Sequence, residues 1–108
     1  MKVAIPTIGS ILDEYMNSCE VFTIYTIDDS FKIVENELLY IPEGCDCKNN
    51  IPLTLQQKGV IAVVGYKMLE NSESVCAQHG ITFFEGYSGI ISDVISTFLI
   101  KIKKKSGK

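Results

Sequence analysis

The pattern of apolar and polar residues predicts strands in the first half of the chain. The apolar segment "KVAIP" near the start predicts a short buried strand that ends at its proline. Residues 21–28 and 31–40 are rich in β-branched and aromatic residues, which favour strands. A short polar turn joins these two segments, so together they predict a β-hairpin. Residues 7–20 have weak periodicity and are expected to form a loop or a short helical turn.

The second half of the chain predicts helices that alternate with strands. Residues 49–59 combine an asparagine cap, a proline in the first turn and a glycine stop, which indicates a short helix. The apolar residues 60–65 predict a central strand covered on both faces. Residues 68–80 predict a second helix and residues 81–86 a last strand. Residues 88–102 carry a broad apolar stripe at helical spacing, typical of a helix that lies on a sheet.

This order predicts one α/β domain. A hairpin followed by alternating helices and strands favours a mixed five-stranded sheet with an N-terminal antiparallel hairpin. Right-handed crossovers would place helices on both faces, as in a three-layer α/β/α domain. We expect the domain to span residues 1–100 and residues 101–108 to form a basic tail.

Composition and charge exclude some classes of function. The chain is 46% hydrophobic and 21% charged, so it has enough apolar residues for a core without disulfide bonds. A net charge of -3 argues against a nucleic-acid binder, which needs a basic surface. No segment approaches a membrane span or a signal peptide, so we expect a cytoplasmic protein with reduced thiols.

The segment "GCDCKNN" is the strongest candidate for chemistry. Cys45 and Cys47 are separated by one residue, so both sulfurs can face one metal ion, whereas a disulfide between them would close a strained ring. Lys48 and the start of the predicted helix favour the thiolate form, which binds soft metals and iron-sulfur clusters. Incidental loop thiols are the alternative interpretation of the same residues.

Two sulfurs do not complete a metal site, which needs about four ligands. Cys19 is a candidate third sulfur, although it is also typical of a small half-buried residue. Cys76 shares a helical stripe with Leu69, which favours core packing, and His79 precedes a glycine, which favours a helix cap. A second protomer in a homodimer, or the cargo itself, is another source of ligands.

Several segments together resemble one protein family. These are "MKVAIPT" at the start, the "FTIYTID" strand, the first predicted helix with its "KGV" end, "HGI" before the last strand, and "EGYSGIISDVISTFL". In this order and spacing they resemble the dinitrogenase iron-molybdenum cofactor biosynthesis family, the nitrogenase accessory factor-like proteins, over about residues 1–100. Some members also have a C-x-C-K-x-N-I segment, which corresponds here to residues 45–51.

The resemblance implies a ribonuclease H-like fold and a binding role. Such proteins hold iron-sulfur or iron-molybdenum cofactor precursors during metallocluster assembly, with assembly or recipient proteins as partners. It supports cofactor contacts from Cys45, Cys47, Lys48 and Asn49, with Cys45 and Cys47 as metal ligands. Cys19 stays a candidate third metal ligand on the basis of its position before the second predicted strand. The chain departs from the family pattern at residues 16–19 and after Gly65, both in loops near the expected site.

Acidic residues give a competing interpretation, because ribonuclease H-like folds can carry two-metal nuclease sites. Asp28 and Asp29 fall at the predicted hairpin turn, and Glu35 and Glu37 alternate along a strand. Turn chemistry and a solvated strand face explain both pairs without a metal.

We therefore expect a non-enzymatic carrier or scaffold for an iron-sulfur or iron-molybdenum cluster precursor. The first alternative is a thiol-redox or metal-handling protein that uses Cys45 and Cys47. The second is an interaction module that keeps the fold without the cofactor.

Overall fold

A computed structural model describes residues 1–13, 21–40, 50–66 and 80–107. The strands are β1 (Lys2–Ile8), β2 (Ile11–Leu12), β3 (Val21–Ile27), β4 (Ile33–Tyr40), β5 (Val60–Val64) and β6 (Thr82–Phe84). The helices are α1 (Asn50–Gln57) and α2 (Ile91–Gly107). The six strands form one mixed sheet, so the α/β class predicted from the sequence is confirmed.

The sheet has the strand order β4-β3-β1-β5-β6, and the short β2 pairs with β1 outside this path. β3 pairs antiparallel with β1 and with β4, so the predicted hairpin of β3 and β4 is confirmed. β5 and β6 continue the sheet on the other side of β1 in parallel. Of the strands in the described ranges, the prediction of five strands missed β2.

The core lies on both faces of the sheet. On one face Leu55 of α1 packs with residues of the central strands such as Ala4 and Val63. On the other face Val94 and Phe98 of α2 belong to the cluster of buried residues from β1, β3 and β5. Each face of the sheet therefore packs against one of the described helices, and the ribonuclease H-like three-layer assignment stays a prediction.

Asp28 lies in the turn between β3 and β4 and is hydrogen-bonded there. The Asp28 carboxylate accepts hydrogen bonds from the backbone N–H groups of Ser30 (2.8 Å) and Lys32 (3.0 Å). The Asp28 N–H donates to the Lys32 carbonyl oxygen at 2.9 Å. Asp28 thus stabilises its own turn, which is the turn-chemistry interpretation of this carboxylate.

The first strand is longer than predicted. Pro6 does not end β1 but lies inside it, opposite Phe22 of β3, and the strand continues to Ile8. A proline is tolerated here because the pairing of β1 with β5 reaches only to Ala4, so no ladder bond is required from Pro6 on that side.

Two further predictions concern the helices. Residues 68–80 lie outside the described residues, so the predicted second helix is not addressed. The last helix continues to Gly107, so the lysines between residues 101 and 105 lie on α2, near its negative C-terminal end. Among the described helices, none is both long and apolar enough to span a membrane.

Candidate functional site

The candidate site lies at one edge of the sheet, which we call the carboxyl edge. β1, β4, β5 and β6 run in the same direction, because β5 and β6 are parallel to β1 and β4 is antiparallel to β3. Their last residues, Ile8, Tyr40, Val64 and Phe84, therefore lie along this edge. β3 runs in the opposite direction, so its first residue, Val21, lies there too.

The chain changes direction at the carboxyl edge between β1 and β5. After β1 the chain turns back as β2, which pairs with β1 on the side away from β3, and it then continues to β3. After β5 it continues to β6 on the other side of the sheet. Ligands of open α/β sheets bind at such switch points, outside the carboxyl ends of the strands. The strand order thus indicates a binding site next to Ile8 and Gly65.

A loop of residues 85–90 is fixed at this edge by backbone hydrogen bonds. The N–H of Gly86 donates to the Tyr66 carbonyl oxygen at 2.9 Å, and the N–H of Tyr87 donates to that of Gly65 at 3.1 Å. At the other end of the loop, the N–H of Leu12 donates to the Gly89 carbonyl oxygen at 2.8 Å. The loop is therefore attached to the ends of both β5 and β2.

Gly65 follows β5 at a point where the backbone lies close to Phe83 of the neighbouring strand β6. A Cβ atom at this position would lie 3.0 Å from Cζ and 3.1 Å from Cε2 of Phe83. Real Cβ atoms rarely approach another heavy atom so closely, so a larger residue would displace the Phe83 ring. Gly65 thus lets the end of β5 lie close to β6 at the site.

Three exposed isoleucines form an apolar surface at the carboxyl edge, here called the isoleucine patch. Ile8 is 59% exposed, Ile11 47% and Ile90 50%. Ile8 pairs with Ile11 between β1 and β2, and Ile11 forms a bridge with Ile90. The three residues are therefore adjacent, which makes this a continuous apolar surface at the carboxyl edge.

A cavity of about 380 Å³ adjoins the loop of residues 85–90 and the first turns of α2. It is lined by Glu85, Gly86, Tyr87, Ser88, Asp93, Val94, Thr97 and Lys101. The Tyr87 ring packs edge-on against Phe98, with ring centroids 6.2 Å apart. Its buried hydroxyl has no hydrogen-bond partner among the described residues, and burial raises the pKa of Tyr87 above the usual 10.0.

The residues predicted to bind the cofactor lie outside the described residues. They are Cys19, Cys45, Cys47, Lys48 and Asn49, together with the less favoured candidates Cys76 and His79. The structure therefore does not test them. In residues 1–13, 21–40, 50–66 and 80–107, no three metal-binding side chains lie together.

The isoleucine patch was missed from the sequence. Ile8 and Ile11 flank the turn at Gly9 and Ser10, and the sequence gives no reason to place two isoleucines in solvent there. The signal is weak because exposed apolar residues are common on protein surfaces. Only the pairing of Ile11 with Ile90, about eighty residues along the chain, gathers them into one surface.

Comparison with known proteins identifies the family. A family model described as dinitrogenase iron-molybdenum cofactor matches residues 1–100. The chain therefore belongs to the dinitrogenase iron-molybdenum cofactor family, which confirms the resemblance found in the sequence. A search of curated proteins finds no match.

The three solved structures described next share the fold of this chain but have low sequence identity to it. The crystal structure of PH0822 is 23% identical, with a TM-score of 0.84 over 94% of this chain and 92% of that chain. A protein described as a candidate dinitrogenase, from Methanocaldococcus jannaschii, is 19% identical, with a TM-score of 0.76 over 94% and 89%. A candidate NifB protein from Thermotoga is 21% identical, with a TM-score of 0.70 over 90% and 85%. At these identities, the likeness supports the fold alone.

Proposed function

We propose that this chain is a carrier or scaffold that holds an iron-sulfur or iron-molybdenum cofactor precursor without catalysing a reaction. Membership of the family supports a role in iron-molybdenum cofactor biosynthesis. The precursor is cargo, received from an assembly protein and passed to a recipient protein. Its binding place is the carboxyl edge, with Cys45 and Cys47 as sulfur ligands and Cys19 as a third.

The observation that carries this proposal is the pairing of Val21 with Tyr40 at the carboxyl edge. Cys19 lies two residues before Val21, and Cys45 lies five residues after Tyr40. These short sequence separations from two paired strand ends support a single cargo beside this edge that contacts both cysteines.

Cys47 is close in sequence to the start of α1. It lies three residues before Asn50, the first residue of that helix. The two thiols of the C-x-C segment therefore belong to the connection between β4 and α1. Thiolates are the ligands that iron-sulfur clusters prefer.

The isoleucine patch supports the same place for the cargo or its partner. A cluster needs shielding from water and oxygen, and an apolar wall supplies it. Exposed apolar surfaces also mark sites where proteins meet. Both uses fit a protein that receives a cluster and releases it to another protein.

Anaerobic reconstitution tests the proposal. The apo-protein would be incubated with ferrous iron and sulfide, desalted, and analysed for iron, sulfide and visible absorption. We expect the wild type to retain a cluster and the Cys45→Ser/Cys47→Ser variant to lose it, because both sulfur ligands are removed. Cys76→Ala is the matched control, since it removes a thiol outside the proposed site and should leave the iron content unchanged.

The same measurement separates the alternatives. Equal, negligible iron in the wild type and the double variant would overturn the carrier role. Reversible disulfide exchange by the metal-free wild type in a glutathione buffer would instead support the thiol-redox alternative. A smaller loss of iron in Cys19→Ser than in the double variant is expected for a third, assisting ligand.

A further inference from the structure

β4 is the end strand of the sheet, and its outer edge is not paired with any strand in the described parts of the chain. Seven of its eight residues are exposed and only Leu39 is half-buried. An exposed end strand presents unpaired backbone N–H and C=O groups that can hydrogen-bond to a strand of another protein. The backbone of β4 is thus placed so that another strand could pair with it. The side chains of β4 determine which segment would fit.

The two faces of β4 differ in chemistry. Leu38 pairs with Thr23 and Tyr40 with Val21, which places both on the face covered by α2, where they are 55% and 67% exposed. Glu37 pairs with Ile24, a core residue of the α1 face, and Glu35 lies two residues before it on the same face. One face of β4 is therefore apolar, and the other is acidic.

The two carboxylates have no partner within the described chain. Neither Glu35 nor Glu37 forms an ion pair with a described residue, and both are exposed. Residues two apart on a strand lie about 7 Å from each other on one face. Opposite-charge pairs on neighbouring strands stabilise a sheet, so lysine or arginine at alternate positions of an added strand would satisfy both carboxylates.

A second copy of this chain is a poor occupant of the same edge. Residues directly opposite each other in an antiparallel pair point to the same face, so a symmetric pair of β4 strands must be centred on a residue. The registers with the greatest overlap are centred on Asn36 or Glu37. They place Glu35 opposite Glu37 of the other copy, or Glu37 opposite itself, and like charges in this position are destabilising.

We propose that β4 is a docking strand for an extended segment of a partner protein that carries basic residues on one face and apolar residues on the other. The basic side chains pair with Glu35 and Glu37, the apolar ones cover Leu38 and Tyr40, and the backbones extend the sheet. This interaction surface does not depend on the cargo proposed above. It is tested with the metal-free protein.

The probe is a synthetic eight-residue peptide of alternating lysine and valine, with fluorescence anisotropy as the readout. We expect it to bind the wild type, and the Glu35→Lys/Glu37→Lys variant to bind at least about tenfold more weakly, because attraction becomes repulsion. The Glu85→Lys/Asp93→Lys variant is the matched control. It makes the same change in net charge at exposed positions away from β4, and it should bind as the wild type does.

A second peptide separates strand addition from general attraction between charges. N-methylation of alternate residues removes the backbone donors and keeps the lysines, so we expect this peptide to lose its binding to the wild type. Equal binding of both peptides, or an equal loss in the control variant, would overturn the proposal. So would a wild-type dimer in light scattering that Leu38→Lys converts to a monomer, because β4 would then bind a second copy.

Discussion

The central strand β1 and the end strand β4 both contain several apolar residues, but these lie in opposite environments. Val3, Ala4 and Ile5 of β1 are fully buried, whereas Leu38 and Tyr40 of β4 are mostly exposed. The difference is one of position, because β1 has a strand on each side and a helix over each face. Within the described residues, β4 has only β3 beside it.

The described helices, α1 and α2, cover only part of the sheet. Leu55 of α1 packs over the centre of one face, and Phe98 of α2 packs over the centre of the other. At β4 the sheet extends past both of these helices. An apolar side chain in β1 therefore stabilises the fold, whereas an apolar side chain in β4 remains available for binding.

Truncation of one isoleucine in each strand gives the largest expected difference. Ile5→Ala removes buried methyl groups from the centre of the sheet, so we expect a loss of about 2–5 kcal/mol in the free energy of unfolding. Ile33→Ala in β4 should lose about 1 kcal/mol, since that side chain is exposed. Urea denaturation measures both. Equal losses would show that β4 is covered as fully as β1.

Loss of the hydrogen bond between two buried hydroxyl groups near Ile5 should lower the free energy of unfolding by a smaller amount. The Thr7 hydroxyl donates to the Ile5 carbonyl oxygen at 2.8 Å, so its oxygen accepts the proton of Thr23 at 2.9 Å. Thr7→Val leaves the buried Thr23 hydroxyl without an acceptor, and we expect a loss of about 1–3 kcal/mol.

The same denaturation measurement contains its own controls. The double variant Thr7→Val/Thr23→Val should recover part of the loss, because neither hydroxyl then remains unpaired. Thr82→Val in β6, where the side chain is exposed, should change stability little. If the single and double variants lose the same amount, the hydroxyl pair does not stabilise the centre of the sheet.

The smallest expected effect is a change in the pH dependence of stability. Burial raises the pKa of Tyr25, in β3, above the usual 10.0. The unfolded chain therefore releases this proton before the native chain does. Stability is fully present below about pH 10 and decreases as pH rises through the folded-state pKa.

Tyr25→Phe should accordingly reduce the loss of stability in the alkaline range. Tyr40→Phe in β4 is the matched control, because its side chain is exposed, and it should behave as the wild type does. The measurement is urea denaturation at a series of pH values from neutral to alkaline. An identical alkaline slope for Tyr25→Phe and the wild type would contradict the effect of burial.

The elements with strong local signals were predicted correctly from the sequence. The β3–β4 hairpin follows from two apolar segments around a polar turn, and its register is held by the Asp28 carboxylate. α1 ends as its glycine stop predicts, since Gly59 has a φ of 85°, which favours glycine. These features depend on a few neighbouring residues.

The errors arose where a distant part of the chain decides the structure. Pro6 indicates the end of a strand, yet β1 continues because its pairing with β3 extends to Thr7. β2 has only two residues and forms by pairing with the end of β1. The candidate thiols could be named from the sequence, but the isoleucine patch could not, because it depends on a contact between Ile11 and Ile90.

The sequence by itself determined the class of fold, the family and the candidate cysteines, because periodicity, turn chemistry and motif spacing are local properties. Tertiary structure alone decided which strands lie at the centre and which end is open. Burial depends on the sum of all neighbours, and pairing energies between distant strands are not visible in either strand alone. For that reason the apolar residues Leu38 and Tyr40 of β4 resemble residues of a core strand in sequence but lie exposed at the end of the sheet.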